Sequence, residues 1–346
     1  MRANNVLGII YSNAYDSVLS ELTNARTMGS VPFGGRYRLI DFALSNLVNC
    51  GINKVGIITK SNYQSLMDHI GTGKPWDPSR KRGGMFLLPP FNNSHTGMYR
   101  DRIQALMGIM RFLEQSKEEY IVLMDTNVVC NFDLNDMCRA HTESGADITI
   151  AYHHGRAPRL DDLMTFTFEE NQKVSKIALD PKTSKPVDYA MNIILISKAL
   201  LIRLINNAVS LNQDSFVRDV IQHNLKRLNI YGYEVSGFTS VFDSLQSYYD
   251  ISMSLLDPAN CQELFTRERP VYTKVRDDMP AIYGLGSTVK NSLVADGCSI
   301  DGEVENCILF RGVQIGKGAV VRNSIIMQGT YISEGVHLDC VIADKS

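Results

Sequence analysis

The sequence has no paired cysteines and no excess of charge of either sign. Its seven cysteines are scattered without a CxxC pair, which disfavours a zinc site or a disulfide framework and predicts a reducing compartment. Its 35 Lys and Arg residues nearly balance 37 Asp and Glu residues. The resulting net charge of −2 gives no reason to expect nucleic acid or an anionic membrane as a partner.

Long apolar runs are also missing. The most apolar stretch, residues 191–205 (MNIILISKALLIRLI), is interrupted by Asn192, Ser197, Lys198 and Arg203. A helix that spans a bilayer needs about 20 mostly apolar residues, so no such helix is expected. The N-terminus, MRANNVLGIIYSNAY, has neither the apolar core nor the cleavage pattern of a secretory signal. We therefore predict a soluble, cytoplasmic protein.

Over the first two thirds of the chain, short β-branched runs alternate with amphipathic helical patterns. Val6–Tyr11 (VLGIIY) and residues 120–124 (YIVLM) have the composition of buried strands. Residues 38–49, 102–114 and 215–227 have the apolar spacing of helices. This alternation is typical of an α/β fold with a mostly parallel sheet.

From about residue 280, a six-residue rhythm replaces the helical patterns. Small apolar residues recur in two registers, at Cys307, Val313, Ala319 and Ile325, and at Leu309, Ile315, Val321 and Met327. One inward-pointing side chain per six residues is typical of a parallel β-helix, whose coils have three faces. The length of this segment predicts about three coils.

Residues 31–59 read VPFGGRYRLIDFALSNLVNCGINKVGIIT. This segment is similar to the run that follows the nucleotide-binding loop of one enzyme family, the glucose-1-phosphate adenylyltransferases (ADP-glucose pyrophosphorylases). Residues 71–90 resemble its next signature, and residues 244–256 (SLQSYYDISMSLL) resemble the segment before its β-helix. The resemblance implies a Rossmann-like (GT-A-like) nucleotidyltransferase domain at residues 1–256, a linker at 257–280 and a left-handed parallel β-helix at 281–346.

The family reaction joins ATP and glucose 1-phosphate to give ADP-glucose and pyrophosphate. Such chemistry needs a glycine-rich loop whose backbone N–H groups hold the triphosphate. It also needs cations that offset phosphate charge, and paired carboxylates that hold Mg²⁺.

This sequence departs from the family pattern at the positions that carry this chemistry. Compared with the family, the GGxGxRL loop is replaced at Asn13, Ala14, Asp16 and Val18, and the lysine before PFGG is Met28. The GTADA turn is replaced by residues 101–105 (DRIQA). The two metal-binding aspartates fall on Thr126 and Val241, and the lysine that holds the sugar phosphate falls on Asp180. The combined losses predict a chain with no catalytic residues and no metal of its own.

The pattern of losses resembles the GlgD-type subunits of the family. The resemblance implies a catalytic GlgC-type partner that holds the Mg²⁺, a homo- or hetero-tetramer, and a phosphorylated metabolite as effector. Of the effector-contact positions of the family, Arg26 and Arg38 are retained. Two alternatives stay open: a divergent active nucleotidyltransferase that uses Asp125 or Asp243 as metal ligands, and a metabolite-binding sensor.

Overall fold

The computed structural model describes residues 5–76, 83–90, 99 and 101–344, so part of the motif at residues 71–90 lies outside the described residues. The strands before the β-helix are β1 (Val6–Tyr11), β2 (Pro32–Phe33), β3 (Tyr37–Arg38), β4 (Lys54–Ile58), β5 (Gly84–Leu88), β6 (Tyr120–Asp125), β7 (Val128–Cys130), β8 (Ile148–Gly155), β9 (Met164–Phe168), β10 (Val174–Leu179), β11 (Val187–Ser197), β12 (Ile230–Glu234) and β13 (Thr239–Val241). The α-helices are α1 (Ser20–Thr23), α2 (Leu39–Asn49), α3 (Gln64–Ile70), α4 (Arg102–Gly108), α5 (Met110–Gln115), α6 (Leu134–Glu143), α7 (Lys198–Ser210), α8 (Leu245–Ser254) and α9 (Pro258–Leu264). No helix in the described part of the chain has the length and apolarity needed to cross a membrane.

Among the described residues, nine strands form a central sheet. Its main order is β10-β9-β11-β6-β1-β4-β5, and β8 lies between β11 and β12. Strands β6, β1, β4 and β5 run parallel, whereas β11 is antiparallel to β6 and to β8. Alternate side chains of β1 enter two separate hydrophobic cores, with Leu7 and Ile9 in one and Val6 and Ile10 in the other. Burial on both faces explains why this run shows no polar alternation.

Two segments predicted as regular helices are irregular. The helix predicted at residues 102–114 is interrupted at Ile109, whose φ of −106° and ψ of 10° separate α4 from α5. At residues 215–227, a π-helix (Phe216–Ile221) is followed by a 3-10 helix (Gln222–Asn224). Apolar spacing alone does not distinguish these helix types, because they bury similar sets of residues.

The C-terminal part is a parallel β-helix built from three sheets. Its strands are β14 (Ile282–Tyr283), β15 (Thr288–Lys290), β16 (Leu293–Val294), β17 (Ser299–Ile300), β18 (Glu303–Glu305), β19 (Ile308–Leu309), β20 (Gln314–Ile315), β21 (Val320–Arg322), β22 (Ile325–Ile326), β23 (Tyr331–Ile332), β24 (His337–Asp339) and β25 (Ile342–Ala343). Each sheet stacks four of these strands. The predicted fold class, an α/β nucleotidyltransferase domain followed by a hexapeptide β-helix, is confirmed.

The predicted number of about three coils is wrong, because the described residues form four. Ser299 pairs with Gln314 and Gln314 with Tyr331, so successive coils take 15 residues (314 − 299) or 17 residues (331 − 314). A coil is therefore shorter than three full six-residue units, and more coils fit in the same length. The inward positions are predicted correctly only in part, although both registers of small apolar residues are buried. Cys307, Leu309, Val313, Ile315, Ala319 and Val321 pack in the interior of the β-helix. Ile325 and Met327 pack on its outer side, because the 17-residue coil pairs Ile325 with Ile308 and puts Ile326 in the inward position beside Leu309.

The β-helix and the α/β part share a third hydrophobic core. Phe33, from the PFGG turn, packs against Phe242 with ring centroids 5.6 Å apart. Phe310 of the β-helix belongs to the same cluster of buried residues. Leu264 of α9 is also buried there, although it lies in the segment predicted as a linker. The predicted domain limits stay a prediction.

Candidate functional site

A cavity of about 380 Å³ lies at the carboxyl ends of β1 and β6, where these strands finish at Tyr11 and Asp125. Ligands of open α/β sheets bind at this edge. The cavity is lined by the loop after β1, by the start of α4 and by the π-helix, and its lining includes three of the positions predicted to be degenerate, Asn13, Ala14 and Val18.

In the loop after β1, side chains hydrogen-bond to one another and to nearby backbone N–H groups. The Asp16 carboxylate accepts hydrogen bonds from the backbone N–H of Met28 (2.7 Å) and from Asn13 Nδ2 (2.6 Å). Asn13 Oδ1 in turn accepts from the backbone N–H of Lys60 (2.8 Å). Burial raises the pKa of Asp16, although both hydrogen bonds to its carboxylate oppose that effect. A carboxylate thus occupies the loop in which phosphate binding needs free backbone N–H groups.

The other replaced positions near this loop differ in how deeply their side chains are buried. Ala14 is exposed, and Val18 is half-buried against two hydrophobic cores. Met28 is fully buried in the core shared with the β-helix. The Met28 side chain therefore points away from the site in which a lysine would contact a ligand.

A buried ion pair forms the floor of the cavity. Arg102 Nη2 donates to Asp125 Oδ2 over 2.6 Å, and Asp125 is only 1% exposed. The Arg102 guanidinium carbon lies 4.6 Å from the ring centroid of Tyr11 and 5.7 Å from that of Phe216. Burial raises the pKa of the Asp125 carboxyl, and the Arg102 guanidinium counteracts this shift. In the sequence, only the replacement of GTADA by DRIQA points to this pair.

The two positions at which the family has metal-binding aspartates are structural here. Thr126 is buried, and its hydroxyl donates to the carbonyl oxygen of Tyr11 (3.2 Å). Val241 pairs with Val128 in a small antiparallel sheet and packs in a hydrophobic core. Neither side chain is a metal ligand of the carboxylate type that Mg²⁺ prefers.

Asp180 lies beside a second cavity of about 740 Å³, which Arg156 and Lys182 also line. Its backbone has a φ of 49°, and its carboxylate accepts from the backbone N–H of Leu163 (3.0 Å). Asp180 therefore stabilises a turn, at the position where the family has a lysine that binds phosphate.

The two predicted effector residues lie near the domain junction, but their surroundings differ. Arg26 is 7% exposed, and its Nη2 donates to the Asp344 carboxylate (2.5 Å). Its charge is thereby neutralised across the junction. Arg38 Nη1 donates to the carbonyl oxygen (2.6 Å) and the hydroxyl (2.9 Å) of Ser65. Burial lowers the pKa of Arg38 to about 10, and no carboxylate bonds to its side chain within the described residues.

Arg38 belongs to a group of five cations around a cavity of about 40 Å³ between the PFGG turn and the β-helix. We call it the junction cluster, and its members are Arg36, Arg38, Lys274, Arg276 and Arg311. Arg311 is 6% exposed, and its pKa is lowered, first by burial and then by the nearby Arg36. Within the described residues, its Nε has no hydrogen-bond partner and lies 4.0 Å from the Asp278 carboxylate. Clustered, incompletely paired cations favour an anion.

Two models of known protein families match this chain. The Nucleotidyl transferase family model matches residues 8–253, and the GlmU-like C-terminal hexapeptide model matches residues 282–346. The chain belongs to the nucleotidyltransferase family. Together with the relatives described next, this match confirms the resemblance stated from residues 31–59.

Relatives of two kinds match this nucleotidyltransferase chain. The glycogen biosynthesis protein GlgD of Bacillus subtilis (strain 168) is 37% identical over 342 residues, which cover 99% of this chain and 90% of that protein. GlgD of Geobacillus stearothermophilus is 39% identical over 321 residues, or 92% of this chain and 83% of the relative. The glucose-1-phosphate adenylyltransferase of Fervidobacterium nodosum is 30% identical over 348 residues, or 99% of this chain and 83% of the enzyme.

For a nucleotidyltransferase, this site does not fit Mg²⁺. Asp125 is paired with Arg102. Asp243, the other candidate ligand, accepts from the backbone N–H of Arg159 (2.7 Å) and from the Ser244 hydroxyl (2.9 Å). In the described part of the chain, no three His, Cys, Asp or Glu side chains are grouped so that they could hold a metal ion.

Proposed function

We propose that this chain is a non-catalytic, regulatory subunit in glycogen biosynthesis. It assembles in the cytoplasm with a catalytic, GlgC-type glucose-1-phosphate adenylyltransferase, which holds the Mg²⁺ and carries out the reaction. The two GlgD relatives and the adenylyltransferase relative support this pathway and this kind of partner.

The Arg102–Asp125 ion pair is the observation that carries the proposal. A metal ion at Asp125 would have to displace the guanidinium and leave a buried cation unpaired, which costs about 3–5 kcal/mol. No second carboxylate compensates, because Thr126 and Val241 occupy the corresponding positions. Each missing electrostatic contact removes about 3 kcal/mol or more of transition-state stabilisation, so their combined loss leaves no useful turnover.

The retained motifs support a scaffolding role. The PFGG turn supplies Phe33 to the core shared with the β-helix, and residues 244–256 supply Tyr248, whose hydroxyl donates to the carbonyl oxygen of Pro32 (2.6 Å). Loss of these residues would separate the two parts of the fold, whereas loss of the catalytic residues does not. A subunit that contributes only surface and shape needs the residues of the shared core but not the catalytic residues.

The junction cluster supports the regulatory part of the proposal. A phosphorylated metabolite would bind Arg38 and the neighbouring cations at the contact between the α/β part and the β-helix. Arg26, which pairs with Asp344 beside this region, would transmit a change at the junction to the last coil. The proposed assembly is a closed tetramer of one or two kinds of chain.

The test is Mg²⁺-dependent formation of ATP from ADP-glucose and pyrophosphate by the purified chain. We expect background rates for the chain alone, and a changed rate or effector response when it is added to a catalytic partner with which it co-purifies. Turnover by the isolated chain that Asp125→Asn abolishes, and that the surface control Asp188→Asn leaves intact, would refute the proposal. Binding of phosphorylated sugars without any association with a catalytic chain would instead support a metabolite sensor.

A further inference from the structure

The cavity at the carboxyl ends of β1 and β6 is present even though the side chains of the neighbouring loop are hydrogen-bonded within the protein. Its volume of about 380 Å³ lies in the range of small-molecule sites. Two buried polar atoms at its floor, the Tyr11 hydroxyl and Arg102 Nη1, have no hydrogen-bond partner within the described residues. Buried donors are normally paired, so these atoms indicate a polar guest.

The charge around this cavity is unsuited to phosphate. Among the described residues, four carboxylates and two cations line it in addition to Arg102, whose charge is balanced by Asp125. The carboxylates are Asp101, Asp161, Asp162 and Asp214, and the cations are Lys60 and Arg159. Asp214 is paired with Arg218 (3.0 Å), so three other carboxylates face the two cations. A negatively charged rim lowers the local concentration of anions and leaves uncharged ligands unaffected.

We propose that this cavity binds an uncharged sugar and excludes nucleoside triphosphates and sugar phosphates. Sugar hydroxyls donate to carboxylates such as Asp161 and Asp162, which are exposed at the rim, and they accept from Tyr11 and Arg102. The apolar face of a sugar ring packs on the side of the cavity formed by Phe216. The inference rests on the proposed non-catalytic function, because a catalytic chain would have to admit phosphates here.

The first experiment titrates the purified full chain with maltose in a calorimeter. Ser17 lines the cavity and is exposed, so Ser17→Trp places a bulky ring at the mouth without removing a buried group. Ser20→Trp is the matched control, because Ser20 is exposed on the neighbouring turn and does not line the cavity. We expect roughly millimolar binding by the wild type and by Ser20→Trp, and at least a tenfold loss in Ser17→Trp.

The second experiment tests the selectivity by displacement. Glucose 1-phosphate should displace maltose from a double variant with Asp161→Asn and Asp162→Asn. It should not displace maltose from the wild type, even at about five times the concentration that is effective for the double variant. The control replaces another adjacent pair of exposed carboxylates, by Glu169→Gln and Glu170→Gln, and should behave like the wild type. Displacement reports on this cavity alone, so binding of the phosphate at the junction cluster does not confound it.

Absence of maltose binding, equal binding by the two Trp variants, or displacement by glucose 1-phosphate from the wild type would each overturn the proposal. None of these measurements involves turnover or a partner chain. Failure of the sugar site is therefore distinguishable from failure of the proposed subunit function.

Discussion

The guanidinium of Arg102 and the carboxylate of Asp125 form a 2.6 Å ion pair at the point where β6 ends. In a sheet of this kind, that point is where a carboxylate would meet a ligand. Here the chain supplies its own cation, which also packs against the Tyr11 ring. Arg102, in the segment that replaces GTADA, thus supplies the counter-charge of this buried carboxylate.

The first prediction concerns this pair. Arg102→Met keeps much of the volume but leaves the Asp125 carboxylate buried and unpaired, so the free energy of unfolding should fall by about 3–5 kcal/mol. Urea denaturation measures the change. Adding Asp125→Asn should recover part of the loss, because the amide carries no charge. Equal stability of the wild type and Arg102→Met would show that the pair is not formed in solution.

The second prediction concerns Met28. Met28→Lys restores the lysine of the family but puts an ammonium group in a fully buried position. We expect a loss of about 3 kcal/mol or more in unfolding free energy and no gain of nucleotidyltransferase activity. Met28→Leu, which keeps the volume and polarity, should cost less than about 1.5 kcal/mol. A stable, active Met28→Lys protein would contradict the description of this position as core.

The third prediction concerns the junction cluster. Inorganic phosphate at a few times its Kd should raise the free energy of unfolding by about 1 kcal/mol, because it binds only the folded cluster. Arg276→Gln should weaken this stabilisation, measured by thermal shift with and without phosphate. Without phosphate, the same variant should be at least as stable as the wild type, because Arg276 lowers the pKa of Arg311 by repulsion. Arg322→Gln, on the exposed β-helix surface, should respond to phosphate as the wild type does.

The fourth prediction is a pH dependence that arises from His141. Burial lowers the pKa of His141 from 6.5 to about 4, and its Nδ1 lies 2.7 Å from the Thr149 hydroxyl. Since the folded pKa is below the unfolded one, the folded state binds fewer protons. The stabilisation is complete above pH 6.5 and is lost as the pH falls towards 4.

The expected loss over that range is about 3 kcal/mol, to be measured by urea denaturation at a series of pH values. His141→Gln should flatten the profile, whereas His337→Gln, at an exposed position on the β-helix, should not. An unchanged slope in His141→Gln would assign the pH dependence to other groups.

The sequence predicted the fold where one local pattern determines it. Val6–Tyr11 is apolar throughout because both faces of β1 are buried, and the residues spaced by six from Cys307 to Ala319 face the interior of the β-helix. The coil length was not predictable in the same way. It depends on the corners, where residues such as Asn306 and Asn323 adopt positive φ and shorten the connection between strands.

The site was only partly predictable, for a related reason. Loop positions such as Asp16 were identified because they stand beside a retained motif. The Arg102–Asp125 pair joins two elements that meet only in the folded sheet. The junction cluster likewise brings Arg36 together with Lys274 and Arg311, which are distant in sequence and carry no motif of their own.

Phe33 contacts Phe242, and both belong to the same buried cluster as Phe310 of the β-helix, so we expect the two halves of the molecule to unfold together. Calorimetry should show one cooperative unfolding transition, because neither half can unfold without exposing the aromatic rings of the other to water. A fragment that stops before Ile282 would carry this uncovered apolar surface into solution and should self-associate.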